Sequence, residues 1–456
     1  LLIIALCSAC NNTNQNNTEI SSSKKEVKNI IMVVADGMGP AYTTAYRYYA
    51  DDPKTAVIEE TVFDRHLVGS ASTYPDTISG YVTDSASAAT ALASGIKTYN
   101  GAIGLDVNKN KVETVLHRAK KMGKKIGVVV TSHINHATPA SYISHNESRE
   151  NYNALADSYI DNGINTDVIL GGGWKYFIRE DRNLVEEYKA ANFHYIDKYE
   201  DLAHLPSNKP ILGLFGDSGL PEAIDDSDNQ RLLTMTKAAI PQLENPNGYF
   251  MLIEASQIDW AGHGNDINSA MAEVHDLVKT LEYLETYVAS HPDTLVILTA
   301  DHSTGGLSIA ANGSYEWRPQ LLTKMTESTK TIAKHFVNNE VSASALKVKL
   351  KGTEVSSKEV ELINTAKSET EEKLNQYLAM TEAEQKDKNK PNVQRAIQKQ
   401  LKKLIDIKTN TGWTGSGHTA VDVPVFAFGP EKYRFAGNID NTDIAKQIFN
   451  LLEENK

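Results

Sequence analysis

Several apolar segments of this sequence end in acidic residues and histidines, the side chains that commonly bind metal ions. Glu254 follows one such segment, and Asp259 and His263 come shortly after it. Residues four positions apart lie on one face of a helix, so Asp259 and His263 could bind the same Zn²⁺. Asp301 and His302 follow another apolar segment, and nearby glycines would let the chain turn there. These pairs predict a metal site.

Two further residues extend this pattern. Asp36 follows the first apolar segment and precedes Gly37 and Gly39, which would allow a close approach to a cation. His418 lies in the glycine-rich segment Gly415–Thr419, just before the last apolar segment. Each motif alone is also typical of an ordinary turn. Their recurrence at the ends of apolar segments favours one shared site.

Ser85 is the candidate nucleophile. It lies in a run of small residues, Thr83–Ala91, that predicts a tightly packed helix beginning at Asp84 or Ser85. The N-terminus of a helix has free N–H groups and a positive field, which suit both a serine alkoxide and an incoming phosphate. Taken alone, such a Ser or Asp is more often a simple N-cap.

These side chains require a scaffold, and the sequence alternates between strand and helix patterns. Apolar runs predict buried strands at Asn29–Ala35, Lys125–Val130, Asp167–Leu170, Pro210–Phe215, Tyr249–Ile253, Thr294–Thr299 and Val423–Phe428. Amphipathic patterns predict helices at Val112–Lys121, Asn229–Leu243, Ser269–Ala289 and Thr442–Leu452. This alternation predicts an α/β fold, with a doubly wound, mostly parallel central sheet and helices on both faces. In such sheets ligands bind beyond the carboxyl ends of the strands.

Composition narrows the class of protein. The chain has 456 residues, of which 41% are hydrophobic and 23% charged, as in ordinary globular proteins. Its formal net charge of −12 argues against nucleic acid or an anionic membrane as a general partner. Its 2 cysteines are Cys7 and Cys10. A disulfide framework, a cysteine-bound zinc and a thiol nucleophile are therefore excluded for the rest of the chain.

The sequence divides into three regions. Residues 1–28 read as a truncated leader and polar tether that predict export to the periplasm of a bacterium. The leader resembles a lipobox, which predicts lipidation of Cys10 and a membrane-anchored lipoprotein, although Cys7 stands where Leu is usual. A plain signal peptide is the alternative. Residues 29–311 and 412–456 form the predicted catalytic domain, and residues 312–411 form a charged helical insertion that could cover the active site or contact another subunit.

Taken together, the motifs resemble the alkaline phosphatase family, and their order and spacing hold from about residue 29 to residue 450. The resemblance implies two Zn²⁺ and one Mg²⁺ per chain, a Ser85 nucleophile and a homodimer. It assigns Asp36, Asp301, His302 and Ser85 to one zinc ion, Asp259, His263 and His418 to the other, and Asp36, Thr138 and Glu254 to magnesium.

The resemblance also assigns residues that contact the substrate. Arg149 would bind two phosphate oxygens, and Asp84 would position Arg149. A helix over Ser141–Asn151 is predicted to carry this arginine. His136 and Trp260 resemble a marine and cold-active subgroup, because the best-known bacterial pattern has Asp and Lys at these places. His136 could also admit zinc to the magnesium site.

The activity implied is hydrolysis of small phosphate monoesters through a phosphoseryl intermediate, which releases phosphate and an alcohol. Nucleic acids would be substrates only through terminal phosphates. A phosphodiesterase or another hydrolase with the same two-metal core is the alternative, and an inactive phosphate-binding protein is a third reading. The presence of Thr138, Glu254 and Arg149 favours the monoesterase.

Overall fold

The computed structural model describes residues 26–311 and 313–454. Cys10 and the leader before residue 26 lie outside the described residues. The strands are β1 (Asn29–Val34), β2 (Leu67–Ser72), β3 (Lys125–His133), β4 (Val168–Gly172), β5 (His194–Ile196), β6 (Ile211–Leu214), β7 (Tyr249–Glu254), β8 (Thr294–Thr299), β9 (Ser303–Thr304), β10 (Leu307–Ile309), β11 (Thr411–Trp413), β12 (His418–Thr419), β13 (Val423–Phe428) and β14 (Gly437–Asp440).

A 10-stranded sheet organises the molecule, with the strand order β14-β2-β13-β8-β1-β7-β3-β4-β6-β5. Its neighbouring strands pair in parallel, except that β13 runs antiparallel to both β8 and β2. Every residue of β1, β7 and β8 is buried. Continuous burial, without alternation, means that both faces of the sheet are covered. The predicted α/β fold is therefore confirmed.

Helices pack around this sheet. They are α1 (Pro40–Ala50), α2 (Val62–His66), α3 (Ser85–Ser94), α4 (Val115–Lys121), α5 (Ala137–Ile143), α6 (Tyr152–Asp161), α7 (Trp174–Phe177), α8 (Leu184–Ala190), α9 (Arg231–Leu243), α10 (Gln257–Gly264), α11 (Ile267–Ser290), α12 (Thr329–Val337), α13 (Ala343–Lys349), α14 (Ser357–Leu378), α15 (Glu382–Gln385), α16 (Val393–Thr409) and α17 (Asn441–Glu454). Short 3₁₀ turns occur at Thr77–Ser79, Tyr199–His204, Pro319–Lys324 and Lys432–Phe435. Within the described residues, no helix is both long enough and apolar enough to cross a bilayer.

Three of the strands that sequence patterns missed, β14, β2 and β5, lie at or next to the edges of the large sheet, and β9 to β12 form two small sheets of their own. β14 (GNID) is polar and largely exposed, β2 (LVGSAS) contains glycine and serine, and β5 has three residues. None of them has the continuous apolar run that marks a strand buried on both faces. The central strands, in contrast, occur at the predicted places.

The segment between β10 and β11 is helical and contains α12 to α16. Pairing of β10 with β11 brings its two ends together. The 22-residue helix α14 has one buried residue, Ile363, whereas α16 buries one face that includes Ile397, Leu401 and Leu404. The buried face of α16 packs against α12 and α14 of the same segment and also reaches α11, while most of α14 lies in solvent.

Sheet polarity separates two edges of the molecule. The chain enters β1 at the amino edge, where the backbone N–H groups of Lys28 and Asn29 donate to the carbonyl of Asp293. It leaves β1 at the opposite, carboxyl edge, where Asp36 lies. The amino end of β13 also reaches the carboxyl edge, because β13 runs antiparallel to its neighbours.

Candidate active site

Three neighbouring strands bring acidic side chains together at the carboxyl edge of the sheet. β1 lies between β7 and β8, and Val34 pairs with Glu254 on one side and with Thr299 on the other. Asp36 and Asp301 each come two residues after their strands, so they meet the side chain of Glu254. The strand order thus converts residues far apart in sequence into one cluster.

Asp36, Asp301 and His302 form the first group that could hold a metal ion. All three are fully buried. His302 Nε2 lies 3.1 Å from Asp301 Oδ2 and 3.6 Å from Asp36 Oδ1. Burial opposes ionisation of Asp301, but the His302 imidazole lowers the pKa of this carboxyl to about 2. A carboxylate–imidazole set of this kind suits zinc.

The second group contains the residues predicted from the helical spacing. Asp259 and His263 lie on α10, and His263 Nε2 is 3.4 Å from Asp259 Oδ2. His418 Nε2 lies 3.0 Å from His263 Nε2 and 3.7 Å from Asp259 Oδ1. His418 comes from the segment before β13, whose reversed direction places it at this edge. Asp259, His302 and His418 also have ligand atoms close together, so the two groups adjoin.

Asp36, His136 and Glu254 form the third group, and the Thr138 side chain lies beside Glu254. His136 is the N-cap residue of α5, and Thr138 lies in its first turn. Burial raises the pKa of Glu254 to about 7 and holds the pKa of His136 well below its ordinary value. His136 is therefore a neutral imidazole that can act as a ligand. The oxygen ligands predicted from the sequence, Asp36, Thr138 and Glu254, therefore have a nitrogen donor, His136, close by.

Buried polar atoms without partners show that these groups suit cations. Among residues 26–311 and 313–454, no group hydrogen-bonds to either carboxylate oxygen of Asp36, to Glu254 Oε1, to the Thr138 hydroxyl or to His136 Nδ1. Burial and the neighbouring Asp301 raise the pKa of Asp36 well above its usual range. Buried carboxylates are normally paired or bound to metal ions. The donor set therefore fits two sites rich in N and O ligands and a third rich in oxygen.

Ser85 lies at the first position of α3, as the sequence predicts, and is 2% exposed. Its Oγ is 3.1 Å from His302 Nε2, which places the hydroxyl beside the first metal-binding group. Asp84 is the N-cap residue and accepts a hydrogen bond from the Ser87 N–H. The free N–H groups of the α3 N-terminus therefore face the same space as Ser85.

Arg149 reaches this space from a loop, so the predicted helix over Ser141–Asn151 is wrong. α5 ends at Ile143, and the carbonyl and N–H of Asn146 pair with Ile103. The Asn146 side chain accepts a hydrogen bond from the Ser148 N–H, a local turn that competes with helix formation.

The loop fixes the guanidinium of Arg149 near the serine. Its Nη1 donates to Asp84 Oδ2 at 3.2 Å, and its Nη2 lies 3.3 Å from His136 Nε2. Burial opposes ionisation of Asp84, but Arg149 holds the pKa of this carboxyl below its usual range. Asp84 therefore contacts Arg149 as a charged group.

Trp260 lies on the other side of His136. The two ring centroids are 6.0 Å apart and the rings are nearly perpendicular. The indole also packs against Gly219, where an added Cβ would lie 2.5 Å from the Trp260 ring. The structure therefore brings both subgroup-specific residues to the site.

Gly37 shows why the motif after β1 needs glycine. Its φ is +77°, and a Cβ there would lie 2.6 Å from the Cα of Asp259. The Gly37 N–H donates to Asp301 Oδ1 at 3.0 Å. Gly37 thus allows the backbone of one metal-binding segment to approach the other two.

Thr304 is a site residue that the sequence patterns missed. Its hydroxyl donates to Asp259 Oδ1 at 2.5 Å and lies 3.2 Å from His302 Nδ1, so it contacts one residue of each of the first two groups. β9, which contains Thr304, pairs with β12, which contains His418. The sequence feature that could have predicted Thr304 is its position two residues after His302, in a glycine-rich turn.

Buried carboxylates without partners need cations, and a serine next to the Asp84–Arg149 pair suits an anionic ester, so the fold and the site define a metal-dependent hydrolase. The chain belongs to the alkaline phosphatase family, because the family model described as alkaline phosphatase matches residues 27–454. Alkaline phosphatase 3 of Bacillus subtilis (strain 168) is 42% identical over 439 residues, which cover 95% of this chain and 90% of that protein.

Solved structures agree with this assignment. The cold-active alkaline phosphatase from the psychrophile Shewanella sp. is 45% identical, with a TM-score of 0.84 over 93% of this chain and 99% of its own. A mutant of alkaline phosphatase TAB5, with one histidine replaced by glutamate, has Mg bound in its M3 site. It is 25% identical, with a TM-score of 0.66 over 94% of this chain and 99% of its own. The resemblance to the family and to its cold-active members is confirmed, and the chain is a phosphomonoesterase of this family.

Proposed function

We propose that the chain hydrolyses phosphate monoesters through a phosphoseryl intermediate on Ser85, with two zinc ions and one magnesium ion. The observation that supports this most strongly is the position of Ser85 Oγ, at a helix N-terminus and 3.1 Å from His302 Nε2. Asp36, Asp301 and His302 would hold one zinc ion, and Asp259, His263 and His418 the other. When bound, such ions lower the pKa of a hydroxyl or water and stabilise the entering and leaving oxygens.

The residues of the chain then supply the rest of the reaction. Ser85 Oγ forms a bond to phosphorus, while the bond from phosphorus to the ester oxygen breaks and the alcohol leaves with a proton. Water next attacks the phosphoserine, which releases phosphate and restores the Ser85 hydroxyl. Arg149 binds the phosphoryl oxygens as a planar fork, and Asp84 orients it. The N–H groups at the start of α3 stabilise the same negative charge.

The third group would hold magnesium through Asp36, Thr138 and Glu254. His136 adds a nitrogen donor, which favours zinc, to a set of oxygen donors, which favours magnesium. The TAB5 mutant described above, in which glutamate replaces a histidine, has Mg in its M3 site. We therefore take the third group as the corresponding place in this chain, where His136 sets the balance between the two metals.

We also propose that the protein is exported to the bacterial periplasm, with a lipid on Cys10, and that it acts as a homodimer. The sequence of the leader supports the first proposal, and the family supports the second. Residues 312–411 would form a separate insertion on the catalytic domain, because β10 and β11 pair at its base.

Turnover of p-nitrophenyl phosphate beside bis-p-nitrophenyl phosphate, with added zinc and magnesium, tests the proposed reaction. Monoester turnover should exceed diester turnover, and a chelator should remove it. Ser85→Ala should lower kcat by on the order of 10³-fold or more, because no covalent intermediate can form. Ser94→Ala, at the other end of α3, is the matched control and should retain activity.

Two results would contradict this function. A preference for the diester would assign the chain to phosphodiesterases that share the metal core. Full monoester turnover by Ser85→Ala would exclude the phosphoseryl intermediate.

A further inference from the structure

His263 is the most exposed residue of the second metal-binding group, although the Ser416 carbonyl oxygen lies 2.6 Å from its Nδ1. Its side chain is 42% exposed, whereas those of Asp259 and His418 are 6% and 14% exposed. It lies one residue before the end of α10, where the chain turns through Asn265 into α11. Helix ends open more easily than helix centres. The position of His263 therefore depends on what holds the junction between α10 and α11, as well as on the Ser416 carbonyl.

The catalytic domain leaves space beside this junction. A cavity of about 180 Å³ extends along α10 from Trp260 to Gly264. Its other wall comes from the helical segment between β10 and β11, through Lys330, Gln398 and Lys402. Because a cavity replaces close packing here, polar contacts across it add to the backbone hydrogen bonds from Asn265 and Asp266 that close the α10 end.

Lys402 makes the most direct of these contacts. It lies on α16, and its Nζ donates to the carbonyl oxygen of Gly264 at 2.6 Å. Gly264 is the last residue of α10 and follows His263. A lysine at this position satisfies a carbonyl of the helix C-terminus and interacts favourably with its dipole.

A second connection holds Asp266, two residues after Gly264. Asp266 is the N-cap of α11 and accepts a hydrogen bond from the Ser269 N–H. Its other oxygen accepts a hydrogen bond from the Thr329 hydroxyl, at the start of α12. Gln398 on α16 donates to the same hydroxyl at 3.2 Å. The inserted helices therefore hold the α10–α11 junction at both Gly264 and Asp266.

We infer that Lys402 is a positioning residue for His263, so that the insertion maintains the second zinc site without contacting the metal. This inference rests on the proposed assignment of zinc to Asp259, His263 and His418. It gives the insertion a task in metal retention that differs from covering the active site or contacting another subunit. Replacing Lys402 should free the end of α10, and His263 should leave the metal more often.

The test uses the zinc-loaded protein and follows zinc release to a chromogenic chelator. Lys402→Met keeps the aliphatic part of the side chain but loses the charge and the donor. One zinc ion per chain should leave about 10- to 100-fold faster than in the wild type, the range typical of residues that orient metal ligands. Lys402→Arg should restore slow release, because a guanidinium can also donate to the Gly264 carbonyl. Lys403→Met is the matched control, since Lys403 is the exposed neighbour on α16.

Thermal unfolding of the metal-free proteins separates positioning from simple stability. If Lys402 acts on His263, Lys402→Met releases zinc faster than a Lys403→Met protein of equal melting temperature. Release at the wild-type rate from Lys402→Met would overturn the inference, as would equal acceleration in both variants. Hydrolysis by the wild type is measured in parallel. A wild type that retains zinc but does not hydrolyse the ester would contradict the proposed function and leave this inference standing.

Discussion

Two clusters of buried charge in this molecule have opposite designs. At the carboxyl edge of the sheet, Asp36 and Asp301 are fully buried with Glu254, and the oxygens of Asp36 lack hydrogen-bond partners among the described residues. Between α9 and α11, Arg231 is also fully buried, but its guanidinium donates to Glu273 at 2.8 Å and to Asp276 at 3.0 Å. One cluster needs cations from solution, and the other carries its own.

The presence or absence of internal partners distinguishes a functional cluster from a structural one more clearly than burial does. Burial opposes the charge of Arg231, yet Glu273 and Asp276 raise the pKa of this guanidinium above its ordinary value. Glu273 also accepts a hydrogen bond from the Ala223 N–H, so the cluster ties the loop before α9 to α11. Such a network is costly to disrupt but performs no chemistry. A buried carboxylate without a partner costs stability until a ligand arrives, and this marks a binding site.

The largest expected effect comes from Asp36→Asn. Loss of a ligand to two of the groups should lower phosphomonoester turnover by on the order of 10³-fold, since bound metal ions contribute several kcal/mol to the transition state. The metal-free variant should be more stable than the metal-free wild type near pH 7, because the amide removes a carboxylate whose burial raises its pKa. Urea unfolding after chelation measures this gain.

Asp443→Asn is the control for Asp36→Asn, because it changes an acidic residue in the first turn of α17. It should leave turnover unchanged and should not stabilise the metal-free protein, because it removes a carboxylate that contacts Lys446 at the start of α17. A metal-free Asp36→Asn protein that is less stable than the wild type would show that the two clusters do not differ as described.

Arg231→Met should lower stability and leave turnover unchanged, the opposite of Asp36→Asn. Removing this side chain leaves Glu273 and Asp276 buried without their cation, so the free energy of unfolding should fall by about 3–5 kcal/mol. Turnover per folded molecule should stay near that of the wild type, because the cluster does not contact the site. Denaturant unfolding and active-site titration measure the two quantities. Adding Glu273→Gln to this variant should restore part of the stability, and further loss in the double variant would contradict the pairing.

Asp406 is a partly buried carboxyl with a single partner, and its replacement should have the smallest of these effects, confined to the pH dependence of stability. It lies on α16 and accepts a hydrogen bond from Trp413 Nε1 at 3.2 Å, while burial raises its pKa to about 7. The folded protein therefore holds a proton that the unfolded chain releases near pH 4. The stability that this group contributes is present below about pH 4 and is lost as the pH rises to about 7.

Asp406→Asn should remove that pH dependence. The difference in unfolding free energy between variant and wild type should move in favour of the variant from pH 4.5 to pH 7.5. Asp387→Asn, which changes an exposed acidic residue between α15 and α16, should show no such trend. A constant difference across this range for Asp406→Asn would contradict the raised pKa.

Sequence patterns predicted both the central strands and the convergence of the site residues at one edge of the sheet, and the reason is simple. Strands buried on both faces are continuous apolar runs, and in a parallel sheet their ends coincide. Asp36, Glu254 and Asp301 follow such runs directly, so their convergence depends only on strand adjacency. His418 also precedes an apolar run, but its arrival at the same edge requires the reversed direction of β13, which spacing does not reveal.

Features that depend on tertiary contacts could not be predicted in this way. Arg149 lies in a loop because Asn146 forms a turn and pairs with Ile103, and a helical pattern gave no warning of this. Thr304 gains its role from contacts with two separate segments. Lys402 is one of many lysines in a charged stretch, and only packing distinguishes it from its neighbour Lys403.

The polarity of β1 also separates the catalytic edge of the sheet from the edge at which the chain enters it. Residues 26 to 28 approach the amino edge of the sheet, and Asp36 lies at the opposite edge, about 20 Å away at roughly 3.3 Å per strand residue. An attachment through the segment before residue 26 would join the domain at its amino edge and leave the catalytic edge uncovered. Esters would then arrive from the open side, and released phosphate would depart in that same direction.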